Sequence, residues 1–198
     1  LHLCHHNLET IETNNYDSNN AKHDLLLEVC MAAKYEGDLI KTHYTPHQET
    51  YYDSAAELCT VLARSFADIG DIVRGRDPFY GNPQEKDQRK KLDENLKEYF
   101  QQIHEDVMKT SGNNKDTLKD RYKDDTPDFL KLREDWWEAN RQEIWKAITC
   151  DVKSGSQYFR QTACAGKTPR VTPSQCRCSD KANTDPPTYF DYVPQYLR

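Results

Sequence analysis

Seven cysteines spread through a very polar chain constrain this protein more than any other feature. They are Cys4, Cys30, Cys59, Cys150, Cys164, Cys176 and Cys178. Hydrophobic residues make up 36% of the chain and charged residues 30%, with a mean hydropathy of -1.00. So polar a sequence builds a thin core, and disulfides formed in an oxidising compartment are the natural supplement. All seven cysteines are therefore expected in disulfides, and spacing alone leaves the pairing open. An odd number strands one of them. The chain also begins at Leu1 rather than Met. The expectation is a piece of a longer protein, with the missing partner elsewhere in it.

The polarity does not mean disorder. Twelve Tyr, six Phe and three Trp in 198 residues are far more aromatic side chains than a disordered chain carries. The net charge of -6 argues against a generic nucleic-acid binder, and no nucleic-acid partner is expected. No apolar run is long enough to span a membrane, and no signal peptide is present.

Periodicity points to helices. Residues 1–23 are polar and Asn-rich and read as a loop-rich lead-in. From Asp24 the pattern turns helical: Val29, Ala33, Ile40 and Tyr44 keep one face. Gly37 interrupts or ends this helix, and Thr45-Pro46 breaks it. Ser54 and Glu57 then form a capping box. Leu58, Leu62, Phe66, Ile69 and Val73 follow at helical spacing until Gly75, a left-handed C-terminal cap. Asn82, Pro83 and Glu85 open the next helix, with a stripe of Leu92, Leu96, Tyr99 or Phe100, Ile103 and Val107. A loop tip ("TSGNNKD") and a short polar helix lead to Tyr122. Thr126 and Pro127 then start a helix whose face is Phe129, Leu132, Trp136, Ile144 and Ile148, flanked by Trp137 and Trp145. It runs to about Cys150. Beyond that the register changes: one short helix near residues 158–163, then an irregular segment tied by disulfides, with Pro186-Pro187 as a hinge.

Each chemical motif has a plainer reading. "DIGDIVRGRD" (68–77) has two glycines but no preceding strand, and Asp68 and Asp71 would repel phosphate. Asp68 with Asp71, or Glu134 with Asp135, is better read as helix-surface charge than as a catalytic pair. Cys176-x-Cys178 is tighter than zinc spacing, and His5, His6, His43 and His47 fall in or near expected loops. No metal and no cofactor is expected. Trp136 and Trp137 point about 100° apart on a helix, so one faces a core and the other flanks it. No catalytic residue emerges.

The charge map is more specific. Lys153, Arg160, Lys167, Arg170, Arg177 and Lys181 face only Asp180 as an acid within residues 153–181. A second cluster, Lys86, Arg89, Lys90 and Lys91, is diluted by Glu85 and Asp87. Such patches hold sulfated sugars and other polyanions through charge and paired N–H donors. The plainer alternative is a solvated basic loop.

Five strings in order, "LLLEVCMAAKYEGDLI", "ARSFADIGDIVRGRD", "LREDWWEANRQEIWKAITC", "CRC" and "PPTYFDYVPQYLR", resemble the alpha-type Duffy-binding-like domain of Plasmodium falciparum erythrocyte membrane protein 1, a variant surface antigen. The resemblance covers most of the chain from about Leu25. It implies an all-α, disulfide-linked helical bundle with long irregular loops and three subdomains, incomplete in this chain. Residues 1–53 would supply part of the first subdomain and the start of the helical core. Residues 54–182 would form the Cys-rich second subdomain, and residues 183–198 would lead into a third. The family's parent proteins sit on the infected erythrocyte, anchored elsewhere in the chain. They adhere to host receptors and vary antigenically. Alpha-type domains are linked to rosetting through heparan sulfate, blood-group sugars or complement receptor. The partners implied are a host cell-surface receptor or sulfated glycan, host antibodies, and an adjacent cysteine-rich interdomain module. A scaffold or antigenic decoy supporting that module is the competing role. In either case "DIGDIVRGRD" is expected to serve the fold, with its charges capping a surface corner.

Overall fold

The computed structural model describes residues 21–50, 58–77, 81–109, 115–152, 176 and 192–197. Five α-helices occur among them: α1 Ala21–Thr50, α2 Leu58–Val73, α3 Pro83–Lys109, α4 Lys115–Tyr122 and α5 Leu130–Ile148. A 3-10 turn spans Gln195–Leu197. There is no strand among the described residues. The chain divides into two interleaved units. One comprises Leu1–Cys4, Cys30–Gly70 and Arg141–Arg198, the other His5–Val29 and Asp71–Asn140. Helices α1, α2 and α5 contribute residues to both.

In the first unit, Ala32, Ala33 and Ile40 of α1, Leu62, Phe66 and Ile69 of α2, and Ile144, Trp145 and Ile148 of α5 are buried. Phe66 meets Trp145 edge to face, with ring centroids 5.2 Å apart, a preferred aromatic geometry. Gly37 does not end α1. A β-carbon there would strike the carbonyl oxygen of Ile148 and lie 3.0 Å from its carbonyl carbon. The glycine is a point of close backbone approach between α1 and the end of α5. Beside it, the buried Glu36 accepts a 2.7 Å hydrogen bond from the Ser65 hydroxyl on α2.

Helix α1 also runs through Pro46, where the sequence predicts a break. Pro46 stands in the last five residues of a 30-residue helix; it has no amide to donate to the carbonyl four residues upstream, and α1 continues past that lost bond. The expected capping residues Ser54 and Glu57 lie outside the described residues, as do the short helix at 158–163 and the Pro186-Pro187 hinge.

Cys59, fully buried on α2, is bonded to Cys176 across a sequence separation of 117. Closing so long a loop restricts the denatured chain and stabilises the fold by about 2–5 kcal/mol. Cys30 and Cys150, both expected in disulfides, are thiols. Burial first, and then the Glu143 carboxylate, push the Cys30 thiol up to about 11, so it is protonated at neutral pH. The Cys150 thiol donates to Asp151 Oδ2 at 3.4 Å and is likewise raised, chiefly by burial. Sequence spacing says nothing of which sulfurs meet in space, and that is why these two differ from expectation. Cys4, Cys164 and Cys178 lie outside the described residues.

In the second unit the α3 start follows its sequence signature. Asn82 Oδ1 accepts from the Glu85 amide, and Glu85 Oε2 accepts from the Asn82 amide, both at 2.9 Å, a reciprocal capping box with Pro83 at the first helical position. Leu92, Leu96, Tyr99, Phe100 and Ile103 are buried, and Val107 is half-buried. The α5 start differs from expectation. Thr126-Pro127 lies in a turn ahead of the helix. The cap is Asp125, whose carboxylate oxygens accept from the Lys131 and Leu132 amides at 2.9 and 2.8 Å. Phe129, buried at φ +54°, precedes the helix; its carbonyl accepts from the Arg133 amide at 2.8 Å, but its side chain has no acceptor to offer. A side chain four residues upstream therefore satisfies the free helix donors. Trp137, expected to flank the core, is fully buried, more so than Trp136.

An alanine in mid-helix ordinarily gains about 1 kcal/mol over glycine. Gly37→Ala should do the reverse and lower stability by about 1–3 kcal/mol, because its new methyl meets backbone. Urea unfolding of the variant measures this, and a neutral or stabilising effect would show that α1 and α5 separate freely at this point.

Candidate functional site

Two basic clusters were the candidates. Lys153, Arg160, Lys167, Arg170, Arg177 and Lys181 all lie outside the described residues. The second cluster lies on the first turns of α3 in the second unit. Lys86, Lys90 and Lys91 are exposed. Arg89 is drawn inward, its Nη1 2.9 Å from Asp77 Oδ2. Lys90 lies 3.8 Å from Glu94. The four cations thus do not converge on one outward-facing point. Arg89 and Lys90 instead line an open cleft of about 270 Å³, with Ile72, Leu92 and Leu96 as apolar walls and Asp77 and Asp93 as acids.

The wall of this cleft is the "DIGDIVRGRD" corner. Helix α2 ends in a Schellman motif: the Arg76 amide donates to Asp71 O at 2.8 Å and the Gly75 amide to Ile72 O at 3.1 Å. Gly75 takes φ +69°, which a β-carbon would strain. A β-carbon there would also sit 3.0 Å from Arg133 Cζ.

Arg133 explains the corner. Its Nε donates to Val73 O at 2.6 Å, its Nη2 to Ile72 O at 3.0 Å and its Nη1 to Asp93 Oδ1 at 2.9 Å. It also lies over the Phe100 ring, 5.6 Å from the centroid. One guanidinium satisfies the last carbonyls of α2, where the helix dipole favours a cation, and ties that helix end to α3. Arg74 is equally buried. Its Nη2 lies 2.8 Å from Asp71 Oδ1, its Nη1 3.5 Å from Glu134 Oε1, and its Cζ 5.9 Å from the Trp137 ring centroid. Glu134 Oε2 also pairs with Arg76 at 2.9 Å.

The expected role of this stretch as a charged surface corner needs correction in part: Arg74 is a core group, 1% exposed, while Arg76 is exposed and pairs with Glu134. Arg133 was not singled out from the sequence. The usable signal is an arginine on the apolar stripe of α5, three residues before Trp136, in a chain whose helix α2 has no basic residue in its own last turn.

The carboxylates once weighed as catalytic pairs are engaged structurally. Asp135 accepts from Arg121 at 2.6 and 2.7 Å and from the Tyr122 hydroxyl at 2.6 Å. The hydrogen bond from Arg121 holds Asp135 below the usual carboxylate range, against some desolvation. Burial, then the bond to Asp135, pushes Tyr122 up to about 12. Asp93 is pulled upward by burial, but hydrogen bonds from Lys97 and Arg133 outweigh it and leave its carboxyl depressed. Among the described residues no group of three His, Cys, Asp or Glu could hold a metal. His43 and His47, expected in loops, lie within α1.

The geometry therefore describes a surface held rigid by buried charge. The comparison with known proteins says which kind. A scan of protein families matches the Duffy binding domain over residues 1–198. The chain belongs to the Duffy binding domain family. Among solved structures it is similar to the NTS-DBL1(alpha-1) domain of PfEMP1 from the Plasmodium falciparum varO strain, at 38% identity and a TM-score of 0.70, covering 99% of this chain and 40% of that one. The varO double domain that adds CIDR-gamma matches at 38% identity and a TM-score of 0.73, with 99% of this chain and 25% of that one covered. The ICAM-1-binding IT4var13 DBLbeta domain of PfEMP1 matches at 30% identity and a TM-score of 0.67, with 100% and 39% covered. No curated protein matches. The chain is helical and disulfide-bonded, and it is similar to the Duffy-binding-like (DBL) domains of PfEMP1. It spans about 40% of the length of the single DBL domains it matches.

Two outcomes test the charge network. Arg133→Met should cost about 1–3 kcal/mol, since Val73 O loses its guanidinium donor in a buried place, while Asp93 keeps Lys97 and Ile72 O keeps the Gly75 amide. An unchanged urea midpoint would show that water replaces the guanidinium at no cost. Asp135 and Asp93 both have depressed carboxyls, so their contribution is present above the unfolded value near ~4 and is lost as pH falls through the folded one. The Asp135→Asn variant should accordingly show a shallower loss of stability below about pH 4 than the parent. Superimposable acid limbs would count against the Arg121 and Tyr122 contacts.

Proposed function

We propose that this domain is a non-enzymatic adhesion module of a variant surface antigen displayed on infected erythrocytes, and that it binds a host cell-surface receptor. The observation that carries the reading is membership of the Duffy binding domain family together with 30% identity over the whole chain to a DBLbeta domain that binds ICAM-1. The parent protein is anchored elsewhere. No helix among the described residues is long and apolar enough to cross a membrane. A neighbouring cysteine-rich interdomain module fits the varO double domain, in which DBL1-alpha is joined to CIDR-gamma. Host antibodies are further partners of so exposed a protein. Within this reading, residues 1–53 supply part of a first subdomain, residues 54–182 a second, and residues 183–198 the approach to a third.

The receptor class we favour is a sulfated glycan of the red-cell surface, of the rosetting type, held by Lys153, Arg160, Lys167, Arg170, Arg177 and Lys181. The case is charge: six cations against one acid in 29 residues of a chain that is otherwise negative. The α3 cluster is a weaker contributor, because Arg89 is committed to Asp77 and Lys90 lies near Glu94. That same neutralisation favours the scaffold reading for the α3 face.

Binding to immobilised heparin and to uninfected red cells separates the two. A glycan site predicts affinity that falls steeply between low and physiological salt, falls about tenfold or more in the Arg170→Glu/Arg177→Glu double variant, and changes little in Lys86→Glu/Lys91→Glu. Well-folded protein that binds neither target would reject the glycan and move the receptor site to the neighbouring module.

A further inference from the structure

Helix α1 is apolar on two sides. Ala32, Ala33 and Ile40 belong to the core of the first unit and are buried. Met31, Tyr35 and Leu39 stand four residues apart on another row of the same helix, and they are 39%, 47% and 44% exposed. Leu27, one step earlier on that row, is 60% exposed. Side chains spaced by four form a continuous ridge along a helix. Beside the ridge the polar residues carry both signs: Lys34 is exposed and Asp38 half-buried.

A helix with apolar residues on two faces ordinarily has a neighbour on each. An i, i+4 ridge is also the feature that fits the groove of a second helix in the commonest class of helix crossing. The mixed charge beside it does not suit a polyanion. Size narrows the occupant further. A patch of a few partly exposed side chains presents about 300 Å², against the roughly 800 Å² that each partner buries in a stable complex of separate proteins. So small a ridge is held well by a segment tethered to it, at an effective concentration on the order of millimolar. The chain spans about 40% of the length of the single DBL domains to which it is similar. More than half of such a domain therefore lies outside these residues and is tethered to them.

We propose that the Met31–Tyr35–Leu39 ridge of α1 is the docking face for a helix from the remainder of the same DBL domain. The occupant packs its own apolar groove over the ridge and sets its polar edges against Lys34 and Asp38.

Oxidation of methionine by peroxide, read by mass spectrometry, tests this without any substitution. The chain has two methionines, Met31 on the ridge and Met108, half-buried on α3. Each rate is referred to the rate of the same residue in urea. In the 198-residue chain Met31 should oxidise nearly as fast as in urea, while Met108 is slower than in urea because the chain is folded. In the complete DBL domain Met31 should slow about tenfold or more, to the same extent at every protein concentration. The Tyr35→Glu/Leu39→Glu variant of the complete domain should restore fast oxidation of Met31. Should the 198-residue chain not fold by itself, the complete domain and its variant decide. Met31 oxidising in the complete domain as fast as in urea overturns the proposal. Protection that grows with protein concentration also overturns it and assigns the ridge to a second copy. So does protection already present in the folded 198-residue chain, which would mean that the ridge is covered from within, and so does protection that survives in the double variant.

Discussion

A guanidinium removed from water must find acceptors inside the protein, and Arg133 finds three, two of them at the end of a helix. Its three hydrogen-bonding nitrogens reach Val73 O, Ile72 O and Asp93. The arrangement depends on the α2 terminus being where the Schellman turn leaves it, on Gly75 having no side chain, and on α3 presenting Asp93. Each of these is a local feature, and the buried charge makes them interdependent. Arg74 repeats the logic next door with Asp71, Glu134 and the face of Trp137. The second unit is therefore organised around two buried cations, each sharing its surroundings with aromatic faces. In a chain with so little apolar material, charge pairing directs packing that burial alone would leave loosely specified.

The first unit reaches rigidity by other means. Gly37 lets the α1 backbone approach Ile148 more closely than any side chain allows. The bond from Cys59 to Cys176 closes a long loop onto α2. Arg141 lies between the Phe66 and Tyr192 rings, and Phe66 meets Trp145 edge to face. These devices constrain backbone and chain path without demanding a large hydrophobic core. They suit a domain whose outer residues are free to change, because none of the ties depends on an exposed side chain other than Tyr192.

Much of this was legible beforehand. The helix stripes on α2, α3 and α5 follow from spacing, since a 3.6-residue period places their apolar residues on one face whatever they pack against. The α3 capping box and the Gly75 stop are equally local, written in residues three apart or at one special φ. The errors were of another kind. Gly37 and Pro46 look like breaks locally because their intrinsic cost is real, yet close packing needs the glycine, and α1 continues past the proline. The α5 cap was assigned to Thr126 when Asp125 performs it, because the turn before the helix places the carboxylate over the free amides.

Helix period, capping chemistry and the order of five motifs are properties of neighbours along the chain, and they carry the helical fold and the membership of the Duffy binding domain family. Which arginines are buried, which cysteines meet, and why Gly37 is a glycine follow only from the packed fold. Those depend on groups 40 to 117 positions apart being brought within bonding distance, and no local pattern encodes which distant acceptor a cation will find.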